Sequence, residues 1–370
     1  MLNHRRRATT LAAVALIGLS LVLAGCGSDD DDSAADTESV ATETSGGATA
    51  TGSLPEGYSG VEAELPTAYD APTTEEGTSC KIGFQNPVAA NEFLGFVQDA
   101  VIAQAKKFGC TVVALDDALS PDKQVSNMQQ LLGQNVNAII FYPLDPRATR
   151  PVLQRAQNQD VPVIAIDASF GNTDAVPLIA TQVWQGRDIQ AYLQANVLAE
   201  EKSDAQVGLI GIGIPVPAIK YLTERQKFYA EEEGLTVVDT QDNPSDDVTG
   251  GEKAGNALLQ RNQEVDSVIG YNDPSALGAV IAARATGRNI TVVGLNGSSD
   301  GIEGVKSDRL LATVQVDPIG IGAQTATAAY SLITEQNLPL PPIVIRPGVL
   351  VTQDNVNDIP SWSDQLAEIQ

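Results

Sequence analysis

Two α/β lobes, each a parallel sheet with crossover helices, are predicted by three features of this 370-residue chain. From residue 80 onward, short β-branched runs alternate with longer amphipathic ones, the pattern of parallel strands linked by helices. About 290 residues are available there, enough for two separate cores. The strand-like runs are too many for one ordinary doubly wound sheet, and a division near 181–187 resolves them into two.

Residues 82–85 read as the first strand, and 92–108 as a helix with Phe93, Val97, Val101 and Phe108 on or near one face, stopped by Gly109. After a strand at 111–115, the next helix opens with Ser120 and Pro121, an N-cap residue followed by proline at the first helical position. Asp145 with Pro146 and Asp273 with Pro274 repeat that punctuation. Further strands are expected at 138–142, 163–166, 178–180, 207–212, 236–239, 267–271 and 291–295. Open α/β sheets bind ligands beyond the carboxyl ends of their strands. The polar residues there are Asn86, Asn91, Asp167, Gln182, Asn272 and Asn296, with Phe93 and Trp184 as the available aromatics. Amides and carboxylates that bond vicinal hydroxyls, beside an aromatic face, suit a polyol.

The ends of the chain carry different information. Arg5, Arg6 and Arg7 precede an apolar stretch over 11–23 that is too short for the roughly 20 residues of a membrane span, so 1–26 reads as a signal peptide. Leu23, Ala24, Gly25 and Cys26 resemble the lipobox of bacterial lipoproteins, which implies acylation of Cys26 and attachment to the outer face of the cell membrane. Residues 27–79, rich in Ser, Thr, Ala, Gly and acid, are expected to be a disordered acidic tether.

A net charge of −25 argues against a nucleic-acid partner, which needs clustered Lys and Arg. The single histidine, His4, lies in the segment expected to be removed, which excludes a Ser-His-Asp triad, a Cys-His pair and a histidine zinc site. No metal, cofactor or catalytic group is expected. Cys80 and Cys110 each precede a strand-like run; neighbouring parallel strands would set them side by side as a disulfide, or they are two free buried thiols.

Four stretches, 161–167 (VPVIAID), 270–278 (GYNDPSALG), 292–301 (VVGLNGSSDG) and 311–318 (LATVQVDP), resemble in order and spacing the ribose-binding protein family of sugar importers, the type I periplasmic binding proteins. The resemblance covers about 81–353. It implies two Rossmann-like lobes joined by a three-segment hinge: 80–181 with 316–340, and 182–315 with 341–358, leaving 359–370 as a tail. It also implies ligand contacts from Asn91, Phe93 and Asp167 in the first lobe, from Arg225, Asn272 and Asn296 in the second, and a hinge glutamine at Gln315. Asp246 stands where the family places an aromatic, Ala168 where ribose binders carry arginine, and Asn296 where they carry an acid, so ribose itself is disfavoured.

Local readings compete at each position. Asp167 could end a strand and cap a turn, Asn272 could simply start a helix, Asn296 with Gly297 could form a tight turn, and Phe93 could be core. Trp184 could pack between the lobes or lie over the ligand. The function the resemblance implies is that of a monomeric extracytoplasmic solute-binding protein that captures a sugar or polyol by hinge closure and delivers it to the permease of an ABC importer. The alternatives are a binding protein that presents its ligand to a sensory receptor, and a hydrolase using Asp167 and Asp246 held about 5 to 10 Å apart.

Overall fold

A computed structural model describes residues 54–70, 72–73, 79–170, 178–334 and 340–370. The expected signal peptide with Cys26, and residues 27–53 of the expected tether, lie outside them.

The first sheet contains β1 (Cys80–Asn86), β2 (Cys110–Asp116), β3 (Ala138–Phe141), β4 (Val163–Ile166), β5 (Thr181–Trp184) and β11 (Ile343–Ile345), in the order β11-β5-β4-β3-β1-β2 and parallel throughout. The second contains β6 (Gln206–Ile212), β7 (Thr236–Asn243), β8 (Ser267–Gly270), β9 (Thr291–Asn296), β10 (Ala312–Gln315) and β12 (Val349–Val351), in the order β12-β10-β9-β8-β6-β7. Only β12 runs antiparallel to its neighbour. The inner strands, such as Ile82, Phe84, Ile139, Ile140 and Ile164 in one sheet and Val268, Ile269, Val293 and Leu295 in the other, are buried on both faces, as helix-covered parallel sheets require.

Capping residues set where the helices begin. In α1 (Glu92–Lys107) Asn91 accepts from the Leu94 N–H, in α2 (Pro121–Gly133) Ser120 accepts from Lys123, and in α3 (Pro146–Asn158) Asp145 accepts from Arg147 and Ala148. The helix α4 (Arg187–Glu201) is the exception, because its N-cap is Gly186, which has no side chain to offer. It packs on α5 (Pro217–Glu232), β9 and β10 of the second lobe.

The boundaries need three corrections. The strand expected at 178–180 lies at 181–184 and belongs to the first sheet, so the first crossing falls at Gln185 and Gly186. β11, within the stretch assigned to the second lobe, pairs with β5 in the first, and only β12 joins the second. The expected tail forms α10 (Trp362–Ile369), packed on α1 and on α9 (Pro318–Ile333) of the first lobe. Its Trp362 donates to the Val316 carbonyl at 3.1 Å.

The third crossing is bonded to the second and to the end of β5. Arg346 in the third donates its amide to the Trp184 carbonyl at 2.8 Å, and its guanidinium pairs with Asp317 in the second.

The tether expectation also fails in part. Residues 54–70 pack against the folded body, with Tyr58, Glu62 and Tyr69 buried. Cys80 and Cys110 face each other in the β1–β2 register, Cα to Cα 4.4 Å, and form a disulfide.

Candidate functional site

The carboxyl ends of both sheets meet at a cavity between the lobes. It encloses about 90 Å³. From the first lobe come Asn91 and Phe93 at the start of α1, Tyr142 and Leu144 after β3, and Asp167 after β4. Gln185 and Arg187 enter from the first crossing. The second lobe supplies Ile212, Val216 and Ile219 around the start of α5, Asp246 after β7, Tyr271 and Asn272 after β8, and Asn296 at the end of β9.

Two polar clusters stand in this cavity. In the first, Asp167 Oδ2 accepts from Arg187 Nε at 2.9 Å and Nη2 at 2.6 Å, while Oδ1 accepts from the Gln185 N–H at 2.9 Å. Both side chains of the ion pair are buried. Burial pushes the Asp167 carboxyl above its ordinary range, and the Arg187 guanidinium and the Gln185 N–H pull it back. Arg187 is steadied in turn by Gln190, whose Oε1 lies 3.0 Å from Nη1.

In the second cluster Asp246 accepts at Oδ1 from the Tyr271 hydroxyl and from Asn272 Nδ2 at 2.7 Å. Its Oδ2 accepts from Asn91 Nδ2 of the opposite lobe at 3.1 Å. Desolvation raises this carboxyl against three neutral donors that lower it. A second bond across the mouth joins Glu92 at the start of α1 to the backbone N–H of Ser299 at 3.1 Å. The lobes are therefore closed on each other.

The two asparagines show how helix-start and site roles combine. The Oδ1 of Asn91 caps α1, and the Oδ1 of Asn272 caps α7 (Asp273–Ala285) by accepting from Ser275 at 2.9 Å. Each amide then has its Nδ2 left for the cleft. Asp167, Asp246 and Asn296 have φ of 51°, 57° and 107°, in the left-handed region that non-glycine residues seldom occupy. Such backbone costs of order 1–3 kcal/mol per residue and persists where the surroundings enforce it, as at ligand sites.

Six of the nine ligand residues expected from the sequence line the cavity: Asn91, Phe93, Asp167, Asp246, Asn272 and Asn296. Three lie elsewhere. Trp184 is fully buried with its indole N–H on Glu62, because the last residue of β5 points away from the cleft. Arg225 sits further along α5, pairs with Asp188 and lies over the Phe228 ring at 4.0 Å. Gln315 is buried on β10 beside Gly297 and donates to the Pro360 carbonyl at 3.4 Å.

The cavity also holds Tyr142, Gln185, Arg187 and Tyr271, which sequence reasoning missed. Tyr142 and Tyr271 directly follow β3 and β8, so the post-strand rule points at both. Gln185 and Arg187 were hidden by the three-residue misplacement of β5. Among the described residues, the Tyr142 hydroxyl and both polar atoms of the Gln185 side chain are buried without a hydrogen-bond partner. Both residues line the cavity.

Two lobes, three crossings and a cavity at the strand ends with two polar clusters in a largely apolar lining define a binding protein that engulfs a small solute. Residues 82–337 match the periplasmic binding protein domain family, and the chain belongs to it. It is 28% identical over 254 residues to the ribose import binding protein RbsB of Bacillus subtilis strain 168, covering 68% of this chain and 81% of that one. It is 27% identical over 238 residues to the D-ribose/D-allose-binding protein of Pseudomonas aeruginosa, covering 60% and 73%. Among solved structures, an ABC transporter solute-binding protein of Bacillus halodurans C-125 with bound myo-inositol superposes with TM-score 0.68 at 25% identity, over 75% of this chain and 96% of that one.

Proposed function

We propose that this chain is an extracytoplasmic solute-binding protein that closes its lobes on one uncharged polyol or monosaccharide and delivers it to an ABC importer. The observation that carries the reading is the inter-lobe cavity with unpartnered Tyr142 and Gln185 groups beside two carboxylates that each accept three protein hydrogen bonds and keep room for one more. Its two carboxylates each accept three hydrogen bonds from protein donors, so it favours neutral hydroxyl groups over ions. Phe93, Ile212, Val216 and Ile219 supply apolar surface for the carbon faces of the ring. The named partners of the relatives, ribose, allose and inositol, are of this class.

In this reading Asn91, Phe93, Asp167, Tyr142, Gln185 and Arg187 contact the solute from the first lobe and crossing, and Asp246, Tyr271, Asn272 and Asn296 from the second. Both carboxylates serve as acceptors fixed by protein donors, which suits binding rather than acid-base turnover, so the protein is not an enzyme. It acts as a monomer. The lipobox-like residues 23–26 support attachment through acylated Cys26, with 27–53 as the leash. No described helix is long and apolar enough to cross a membrane.

A thermal-shift panel of D-ribose, D-allose, xylitol, myo-inositol and their phosphates tests the ligand class. A neutral member at a hundredfold its Kd should add about 2.7 kcal/mol of stability. A shift from the phosphates alone would contradict the assignment.

A further inference from the structure

Residues 54–70 precede the stretch shared with the family and run across the hinge face of both lobes. On the second lobe, the Tyr58 hydroxyl donates to Asp188 Oδ2 at 2.7 Å, and Tyr192 of α4 donates to the Glu56 carbonyl at 3.2 Å. On the first lobe, the Pro66 carbonyl accepts from the Ile345 N–H at 2.8 Å. The Tyr69 hydroxyl lies 2.8 Å from Thr181 Oγ1 and donates to the Gln182 carbonyl at 3.1 Å.

Between these anchors Glu62 is fully buried. Its Oε1 accepts from the Trp184 indole and from the Asp188 N–H at 3.1 Å, and its Oε2 accepts from the Ile189 N–H at 3.0 Å. Those two amides belong to the first turn of α4, the helix whose own N-cap, Gly186, has no side chain. A helix start leaves such donors unpaired, and a carboxylate placed there also meets the positive end of the helix dipole. The residue that begins this turn is Arg187, which holds Asp167 in the cavity.

We propose that Glu62 is a positioning residue for the ligand site: it caps α4 from a remote segment and so holds Arg187 in register with Asp167. The proposal rests on the reading above that this pair contacts the solute. Removing the Glu62 carboxylate would leave three buried N–H groups unpaired, and the first turn of α4 would shift to reach other acceptors, moving the guanidinium away from Asp167. The acid at Asp188 cannot substitute, because its oxygens are taken by Tyr58, Tyr229 at 2.6 Å and Arg225. Burial pushes the Glu62 carboxyl up to about 7, and its three N–H donors pull it back toward the ordinary range.

The test is a double-mutant cycle on the chain as secreted, with Glu62→Ala, Arg187→Ala and the pair. The probe is whichever of D-ribose, D-allose and myo-inositol binds wild type most tightly by calorimetry. Glu62→Ala should weaken binding about tenfold, the loss of an N-cap, and lose amide protection at Asp188 and Ile189. In the Arg187→Ala background the same change should alter affinity by no more than about twofold, because Glu62 acts through that arginine. Glu62→Gln, which keeps one acceptor in place, should fall between wild type and Glu62→Ala, and it carries the test if the alanine variant does not fold.

Undiminished affinity in either Glu62 variant, or a full tenfold loss persisting without Arg187, would overturn the positioning role. Wild type that binds none of the three probes would instead overturn the ligand reading, and the proposal with it.

Discussion

Replacing Arg187 with alanine is expected to weaken solute binding about a hundredfold, still within reach of calorimetry, and to destabilise the protein by about 3 to 5 kcal/mol. The side chain supplies two of the three hydrogen bonds that Asp167 receives, and both residues are buried. Without it a carboxylate is stranded in a dry site and must take up a proton or draw in water. Asp167 then no longer presents a fixed pair of acceptors to the ligand.

The companion variant separates the two effects. Asp167→Leu with Arg187→Met removes both charges at similar volume, and such replacements of buried ion pairs are often neutral for stability. Urea denaturation should show most of the lost stability restored, while calorimetry should still show the weakened binding. A single Arg187→Ala variant with wild-type affinity would mean that the pair is scaffold only.

Removing the Cys80–Cys110 disulfide is the second large effect. The bond closes a loop of sequence separation 30, which in the chain-entropy model is worth about 3.5 kcal/mol. Against a total stability of about 5–15 kcal/mol this is a major share. Cys80→Ala with Cys110→Ala should lower Tm on the order of 10 °C. Affinity should change little, because the cysteines begin β1 and β2 whereas the ligand site lies past the opposite ends of the strands. A loss under 1 kcal/mol by urea titration would show that the paired strands β1 and β2 hold the lobe without it.

How far the sequence revealed this arrangement depends on which signals are local. The alternation of strands and helices survives because buried parallel strands and capped helices write themselves into short windows, as Ser120 with Pro121 and Asp145 with Pro146 do. Four site residues were legible for the same reason: Asp167 and Asn272 follow a strand, and Asn91 and Phe93 stand at a helix start, whereas Asp246 came from the resemblance and Asn296 closes its strand.

The misses come from long-range partners. The stretch 178–184 is uniformly compatible with a strand, and only pairing with β4 and β11 places it at 181–184, which brings Gln185 and Arg187 to the cleft. Trp184 was weighed as a ligand face because nothing local announces Glu62, 122 residues earlier, as the partner of its indole. The segment 54–70 looked like tether because its polar composition carries no periodicity; two tyrosines and one acid hold it down. Arg225 lay close to a family position in sequence, yet Asp188 and two aromatic rings fix it on α5 outside the cavity.

The most direct test of the central claim is small-angle X-ray scattering of the protein with and without the tightest-binding polyol, compared with the Asp246→Ala variant. Closure around the solute predicts a smaller radius of gyration on ligand addition for wild type, and a much reduced change in the variant, which has lost the cross-lobe bond to Asn91. Saturating polyol binding with no change in the radius of gyration of an open wild-type protein would contradict the account.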